Sequence, residues 1–537
     1  MREATDVIVV GAGPVGLTAA LGLRRLGLRV RLVDRAPGTS REPRADVLFP
    51  RAGEALGALG AGEAIRKNSY EMRGANVFGL GRRLCSFRVG RLESAYPRAM
   101  TIEQHDIERL LTEELARHDT TVQWRTAVTG LHPRPDGVEV TLRRADGSTE
   151  RAGAAWVVAC DGVRSTVREL LGIPYEGEPR ANMQVVQGNV VPSWPLGDNP
   201  GHGYFFLAPY RSVIAFPTPA GGYRIFCVRD DPDPGRTAPP TLDELRDLVA
   251  GAAHLPELRL ALTDPVWLSR ARFADRVASR LRHGRVLLAG DAAHAWAPLG
   301  GHGMNVGILG AYNLAWKLAA VHRGQAADVV LDTYDLEQRR LAHQVIRDMR
   351  RSPMEMVLPP LAHTLRSVLL AATMPLPGVQ RRTEWMMSDF GRHHRASPLS
   401  WHRAGRFRGG PRAGDRLPDV ALQPAGGRPT RSHQLLSFDR WTLLVASAEA
   451  DAATLHALKQ AWMSCPAPVR IVPVVPASAH AARQMGRRRE FALVRPDGHL
   501  GLVARLDRPQ DLRNYLRRFL CAGMPGERPS DADEVQP

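Results

Sequence analysis

The stretch that decides the fold is DVIVVGAGPVGLTAALGLRRLGLRVRLVDR, residues 6–35. It opens on a run of β-branched residues over 6–10, the pattern of a buried strand. Gly11, Gly13 and Gly16 follow in G-x-G-x-x-G spacing, with Pro14 and Val15 between the last two. A helical periodicity then runs through Leu17, Ala20, Leu21, Leu23 and Leu26 until Gly27 ends it, and a second strand over 30–33 stops at Asp34-Arg35. Each glycine has a physical task. Gly11 permits the tight turn, Gly13 lets a pyrophosphate approach the backbone, and Gly16 lets the helix pack close to the strand. The helix N-terminus stabilises the phosphate charge, and an acid placed like Asp34 accepts hydrogen bonds from an adenosine ribose. The unit predicts dinucleotide binding but does not choose between FAD and a nicotinamide nucleotide.

Two later stretches repeat the theme of a buried strand ending in glycine and acid. WVVACDGVRSTVREL, residues 156–170, ends in Asp161-Gly162, with Ser165 and Arg168 at a predicted helix start. RVLLAGDAAHAWAPLGGHGMNVGI, residues 285–308, ends in Gly290-Asp291, passes through Pro298, Gly300, Gly301, His302 and Gly303, and turns helical at Met304-Asn305. Glycines beside a helix N-terminus suit a planar ring that carries negative charge when reduced.

These three motifs, in this order, resemble the signatures of the FAD-dependent aromatic hydroxylases, the single-component class A flavoprotein monooxygenases. EPRADVLFPRAGEALGALG (42–60) and TIEQHDIERLLTEEL (101–115) are similar to the family segments between them. The resemblance covers residues 5–345, and beyond that the chain is similar to the branch acting on polyketide-type and phenolic aromatics in secondary metabolism and antibiotic biosynthesis, with a C-terminal thioredoxin-like domain. It implies that Asp291 hydrogen-bonds the ribityl chain of FAD, that Pro298, Gly301, Gly303, Met304 and Asn305 border the isoalloxazine ring, and that Arg44 reaches the pyrophosphate. It further implies that Gln104 contacts the cofactor, and that Asp161 and Gly162 serve cofactor binding and reductant use, with Arg164 or Arg168 a contact for nicotinamide-cofactor phosphate. Where the family usually has Gln this chain has His302, a residue able to titrate near neutral pH and deprotonate a phenol. Where it usually has an acid, this chain has Gly310.

The implied activity is a monooxygenase. NADPH or NADH reduces FAD, O₂ adds to give a flavin C4a-hydroperoxide, and one oxygen atom passes to an aromatic small molecule. The motifs alone leave open epoxidation, Baeyer–Villiger insertion or dehydrogenation on the same scaffold, and a non-catalytic flavin-binding protein.

The expected fold class is α/β. A Rossmann-like FAD-binding domain (1–72, 100–180, 276–345) is interleaved with a substrate-binding sheet domain (73–99, 181–275). A helical segment (346–405), a thioredoxin-like domain (411–525) and a tail (526–537) follow. Alternating strands in 181–275 predict a sheet with one wet face, and Tyr204, Phe206 and Phe226 are the candidates to line a substrate pocket. RWTLLVAS, VRIVPVV and EFALVRPDGHLGLVAR read as strands of the last domain, with helices at 452–462 and 509–520. It has no CxxC, which excludes thioredoxin-type exchange.

Composition narrows the partners. The net charge is +17, yet only three of the 72 basic residues are lysine and the arginines are scattered, the densest group being Arg487-Arg488-Arg489. That is no footprint for nucleic acid, which needs a patch or stripe. Five widely spaced cysteines show no metal or disulfide spacing. They fit a reducing cytoplasm, as does an N-terminus that starts directly in a strand without a signal peptide. MEMVLPPLAHTLRSVLLAATMPLP (354–377) is interrupted by Pro359, Pro360, His363 and Arg366, against a membrane span. The expectation is a monomer or homodimer with no metal, no membrane and no nucleic acid.

Overall fold

The computed structural model describes residues 5–40, 42, 44–180, 182–196, 201–263, 266–352, 356–404, 410–446, 452–463, 465–485 and 490–521. Arg487-Arg488-Arg489 and the tail 526–537 lie outside them. The chain divides into two compact units, Met1–Ala315 with Tyr334–His393, and Trp316–Thr333 with His394–Pro537.

In the first unit the apolar strand Thr5–Val10 is the centre of a parallel sheet, with Val30–Val33 on one side and Thr149–Ala159 on the other. Val286–Leu288 lies parallel beside Thr149–Ala159. Near-continuous apolar runs suit such strands because both faces are covered. Val10 pairs with Ala159, and Ala159 with Leu288. The three strands therefore end level, and the three glycine-acid turns emerge together at one edge. Open parallel sheets bind ligands beyond these carboxyl ends.

The second sheet is assembled from distant segments. Gly74–Gly79 and Arg82–Arg88 join Met183–Pro192, His202–Ala208, Arg211–Pro217 and Tyr223–Asp230, with Gly74–Gly79 parallel to His202–Ala208. The expected wet face is absent. Tyr204, Phe206 and Val213 pack under Leu245, Leu248 and Val249 of the helix Leu242–Ala253. On the other face, Phe205, Leu207 and Ile214 meet Leu370 and Met374 of the segment that begins with the helix Pro360–Thr373. A helix on each face removes the need for polar alternation. The first helix carries its own start signal, Thr241 three residues before Glu244, and the Thr241 side chain accepts from the Glu244 N–H at 3.1 Å.

In the second unit, Trp441–Ala446 runs parallel to Val469–Pro476 and antiparallel to Glu490–Val494, which forms a hairpin with Leu500–Arg505. Helices Ala452–Met463, Ala479–Met485 and Pro509–Phe519 complete a thioredoxin-like order. All five cysteines of the chain are free thiols. Among the described residues no helix is long and apolar enough to cross a membrane, and no cluster could hold a metal ion.

Candidate functional site

The first turn shows why glycines are required. Gly11 has φ +100°, and a Cβ there would lie 2.3 Å from the Cys160 carbonyl oxygen. A Cβ on Gly16 would lie 1.8 Å from the Gly11 oxygen. These two glycines are needed by the fold itself. Gly13 differs, since a Cβ there would meet no atom within 4 Å. Its open side faces outward at the N-terminus of the helix Pro14–Arg25, where a phosphate can reach the backbone. Pro14 is buried as the first helical residue, and Val15 touches the space a Cβ on Gly290 or Gly307 would need, so the first and third motifs interlock.

Asp34 accepts from the backbone N–H groups of Ala12 (2.6 Å) and Ala36 (2.7 Å), which fixes its carboxylate beside the glycine turn. Arg35 is exposed. Arg44 is paired with Glu42 at 3.0 Å and remains 61% exposed, and its charge acts on both Glu108 and Asp291. Gln104 donates to Glu108 at 2.9 Å. Asp291 is open to the cleft yet walled by protein, so burial raises its carboxyl pKa while Arg44 acts in the other direction.

The second glycine-acid turn is also braced internally. Asp161 accepts from the Ser165 hydroxyl (2.6 Å) and the Val167 N–H (3.1 Å), with burial raising its pKa against these bonds. Gly162, at φ +82°, presents an open face. Arg168 is held by the protein itself. It is buried, donates to the Ala292 and Val163 carbonyls at 3.1 and 2.9 Å, and stacks over Tyr175 at 3.9 Å. Those bonds tie the second glycine-acid turn to the third. Arg164 is exposed.

The loop after Asp291 turns at Gly300 and Gly301, at φ +69° and +68°. Asn305 is fully buried. It accepts from the Phe49 N–H at 2.7 Å and donates to the carbonyls of Val47 (2.9 Å) and Gly301 (2.8 Å), clamping the strand edge onto the loop. Gly303, in the first turn of the helix His302–His322, has open space where a Cβ would stand, and Met304 beside it is half-buried. Open faces at Gly13, Gly162 and Gly303 and the exposed Asp291, on segments that follow the carboxyl ends of the parallel strands, fit an extended dinucleotide whose phosphate meets the helix N-terminus at Gly13.

Beside that loop is a cavity of about 730 Å³, within the usual range for small-molecule sites. Pro298, Gly300, Gly301 and His302 form one end, and Val47, Phe49, Phe205, Ile214, Phe216 and Phe226 line much of the rest. Phe226 is thus where the sequence reading places it. Tyr204 and Phe206 are not, because side chains alternate along a strand and theirs point into the core beneath the helix Leu242–Ala253. Phe205, between them, takes the cavity side.

Two carboxylates in this region escape the sequence reading. Asp46 lines the cavity, is 5% exposed, and its Oδ2 has no hydrogen-bond partner. Burial pushes its pKa from 3.8 up to about 6, with Arg224 lowering and Glu103 raising it. Asp389 follows the helix Pro377–Met387, is buried, and holds φ +60°. His302 Nδ1 lies 2.9 Å from Asp389 Oδ1, an ion-pair distance without straight hydrogen-bond geometry. Burial alone would raise the Asp389 pKa, but His302 and then Arg392 bring it below the usual carboxylate range.

The comparisons agree with this geometry. Residues 4–349 match the FAD binding domain family, and residues 410–523 match the C-terminal domain of aromatic-ring hydroxylases. The chain belongs to this family of FAD-dependent monooxygenases. It is 31% identical over 535 residues to pentachlorophenol 4-monooxygenase of Sphingobium chlorophenolicum, covering 94% of each chain. It is 34% identical over 465 residues to 6-methylpretetramide 4-monooxygenase of Streptomyces rimosus, covering 84% of this chain and 81% of that one. Among solved structures, a ternary complex of aklavinone-11 hydroxylase with FAD and aklavinone superposes with a TM-score of 0.75 at 27% identity, covering 96% of this chain and 99% of that one.

Proposed function

We propose that this enzyme uses NADPH or NADH and O₂ to hydroxylate a phenolic or polyketide-type aromatic that lies in the 730 Å³ cavity with one ring against the Pro298–Gly303 loop. The observation that carries the reading is this aromatic-lined cavity meeting a glycine-built cofactor cleft. Relatives named for pentachlorophenol and 6-methylpretetramide support the substrate class.

FAD, when bound and reduced, supplies the oxygen chemistry. Gly11, Gly13, Pro14, Val15 and Gly16 present the helix N-terminus to the pyrophosphate. Asp34 and Arg35 border the adenosine ribose, Arg44 reaches the pyrophosphate, and Gln104 contacts the cofactor from the start of its helix. Asp161, Gly162, Gly290 and Asp291 line the ribityl stretch, and Pro298, Gly301, Gly303, Met304 and Asn305 hold the ring edge. The aromatic wall, Phe226 included, orients the substrate and excludes water, which limits loss of oxidising equivalents as peroxide. His302 is the proton acceptor at the ring end of the cavity.

The domain assignment follows the same lines: 1–72, 100–180 and 276–345 bind FAD, 73–99 and 181–275 bind substrate, 346–405 form a helical segment, and 411–525 serve packing rather than redox exchange. Free thiols and dispersed arginines support a cytoplasmic monomer or homodimer that binds neither nucleic acid nor membrane. The test is NADPH oxidation by the FAD-loaded protein against a panel of phenols and hydroxylated polycyclic quinones. Oxidation accelerated by at least one of these with a hydroxylated product is expected, and a protein that retains no flavin under any condition would refute the reading.

A further inference from the structure

The cavity contains an imidazole and a carboxylate that together have the arrangement of an oriented base, although 87 positions separate them in the chain. We propose that Asp389 is a positioning residue that holds the His302 ring with Nε2 toward the cavity, so that His302 takes the proton of a phenolic or enolic O–H of the bound substrate. The inference rests on the aromatic hydroxylase reading and deepens it.

Four observations carry it. Nδ1 of His302 lies 2.9 Å from Asp389 Oδ1, so it faces the carboxylate and leaves Nε2 as the nitrogen available to a ligand. His302 lines the cavity with 12% of its side chain exposed, whereas the Asp389 side chain is fully sealed. A base inside and its orienting carboxylate behind it is the arrangement by which a buried acid fixes an imidazole and balances the imidazolium that forms. Third, Asp389 adopts φ +60°, a conformation that costs free energy in a residue with a Cβ and that tends to persist where function requires it. Fourth, the couple is braced on both sides. Arg392 donates to Asp389 Oδ1 at 3.3 Å and to Asp348 at 2.5 Å, and the Phe49 ring lies 4.9 Å from the imidazole. The Nδ1 contact is close, but its angle falls short of a straight hydrogen bond.

The step is a simple proton transfer. The substrate O–H bond breaks, an N–H bond forms at Nε2, and the electron pair stays on the substrate oxygen. From there it is delocalised to the ortho and para carbons, making them better nucleophiles toward the incoming oxygen atom. The positive charge on the ring is matched by Asp389, and the imidazolium releases its proton to solvent once product has left. No other reagent is needed.

The test uses the FAD-loaded full-length protein and its His302→Gln and Asp389→Asn variants. Asn is the side chain that best tolerates a positive φ, and retained FAD reports the fold of each variant. 2-Hydroxyanthraquinone, whose visible absorption moves to the red on ionisation, is titrated into each protein. The wild type is expected to show the phenolate band, His302→Gln to lack it, and Asp389→Asn to weaken it. In turnover with the same compound, kcat should fall about 100-fold in His302→Gln and about 10-fold in Asp389→Asn with KM little changed, since general-base contributions are typically of that order. Pentachlorophenol, already ionised at neutral pH, should lose less than about 3-fold in either variant, because a uniform loss would mean structural damage rather than a missing base. The same spectrum and kcat in all three proteins would overturn the couple while leaving the monooxygenase reading intact. A phenolate band without turnover would support the couple and count against that reading.

Discussion

The glycine-built cleft and the aromatic-lined cavity meet at the Pro298–Gly303 loop but are made of different material. The cleft is made largely of backbone: Gly11 and Gly16 are there because the chain touches itself, Gly162 because of its φ of +82°, and Gly13 and Gly303 leave open space where a side chain would stand. The cavity is made of side chains from both segments of the second sheet, the Asp46–Phe49 edge and the Pro377–Met387 helix. Backbone requirements survive as glycine spacing in the sequence, even where the strand that imposes them is distant, as Cys160 is from Gly11. Side-chain walls are tertiary, and they can change without disturbing the fold that supports them.

That difference can be broken or sharpened by substitution. The largest effect is expected at Gly16, where a methyl group 1.8 Å from a carbonyl oxygen has nowhere to go. Gly16→Ala should cost more than about 4 kcal/mol, in the range reserved for core clashes and strain, and give little soluble protein. Gly13→Val occupies space open on the protein side, so it should leave the apoprotein melting temperature within a few degrees while reducing FAD retention at least about 100-fold, equivalent to about 2.7 kcal/mol. Equal loss of folding in both variants would show that the two glycines do the same job.

Asp46 allows a test by pH. Its folded pKa of about 6 lies above the ordinary 3.8, so ionisation in the folded state costs about 3 kcal/mol. The cost is fully present above pH 6 and is relieved as the pH falls toward 4, where the folded protein takes up a proton before the unfolded chain does. Asp46→Asn should therefore stabilise the protein most at pH 8, with the gain shrinking by about 3 kcal/mol by pH 4. Calorimetry at a series of pH values checks this, and a gain that does not vary with pH would contradict it. At the cavity wall, Phe226→Ala should raise KM for the aromatic substrate about 10-fold, as loss of apolar contact implies. The smallest effect belongs to Tyr204. Its hydroxyl is buried without a hydrogen-bond partner, so Tyr204→Phe should stabilise the fold by about 1 kcal/mol and leave turnover unchanged.

The same contrast explains what could be read in advance. The Rossmann-like domain and its glycine turns were legible in three strand-glycine-acid units, because glycine spacing marks a tight backbone approach whether the neighbour is near, as Gly11 is to Gly16, or distant, as Cys160 is to Gly11. The pocket residues did not follow as well. Tyr204, Phe205 and Phe206 are adjacent and all aromatic, and only pairing with Gly74–Gly79 and cover by the helix Leu242–Ala253 decide which faces the cavity. Alternation was a poor guide because helices cover both faces of that sheet. Asp46 sits inside a quoted family segment, but its unusual proton affinity comes from burial near Glu103, against which Arg224 is only a partial offset. Asp389 carries no motif at all, and its meaning appears only when the chain returns it to His302.

The most direct test of the central claim is oxygen labelling. The FAD-loaded enzyme, NADPH and an accepted phenol are incubated under ¹⁸O₂, and the product is weighed by mass spectrometry. The account predicts a ring-intact product carrying one labelled oxygen atom as a new hydroxyl group. A product whose added oxygen is unlabelled, or a product that has lost hydrogen and gained no oxygen, would contradict it.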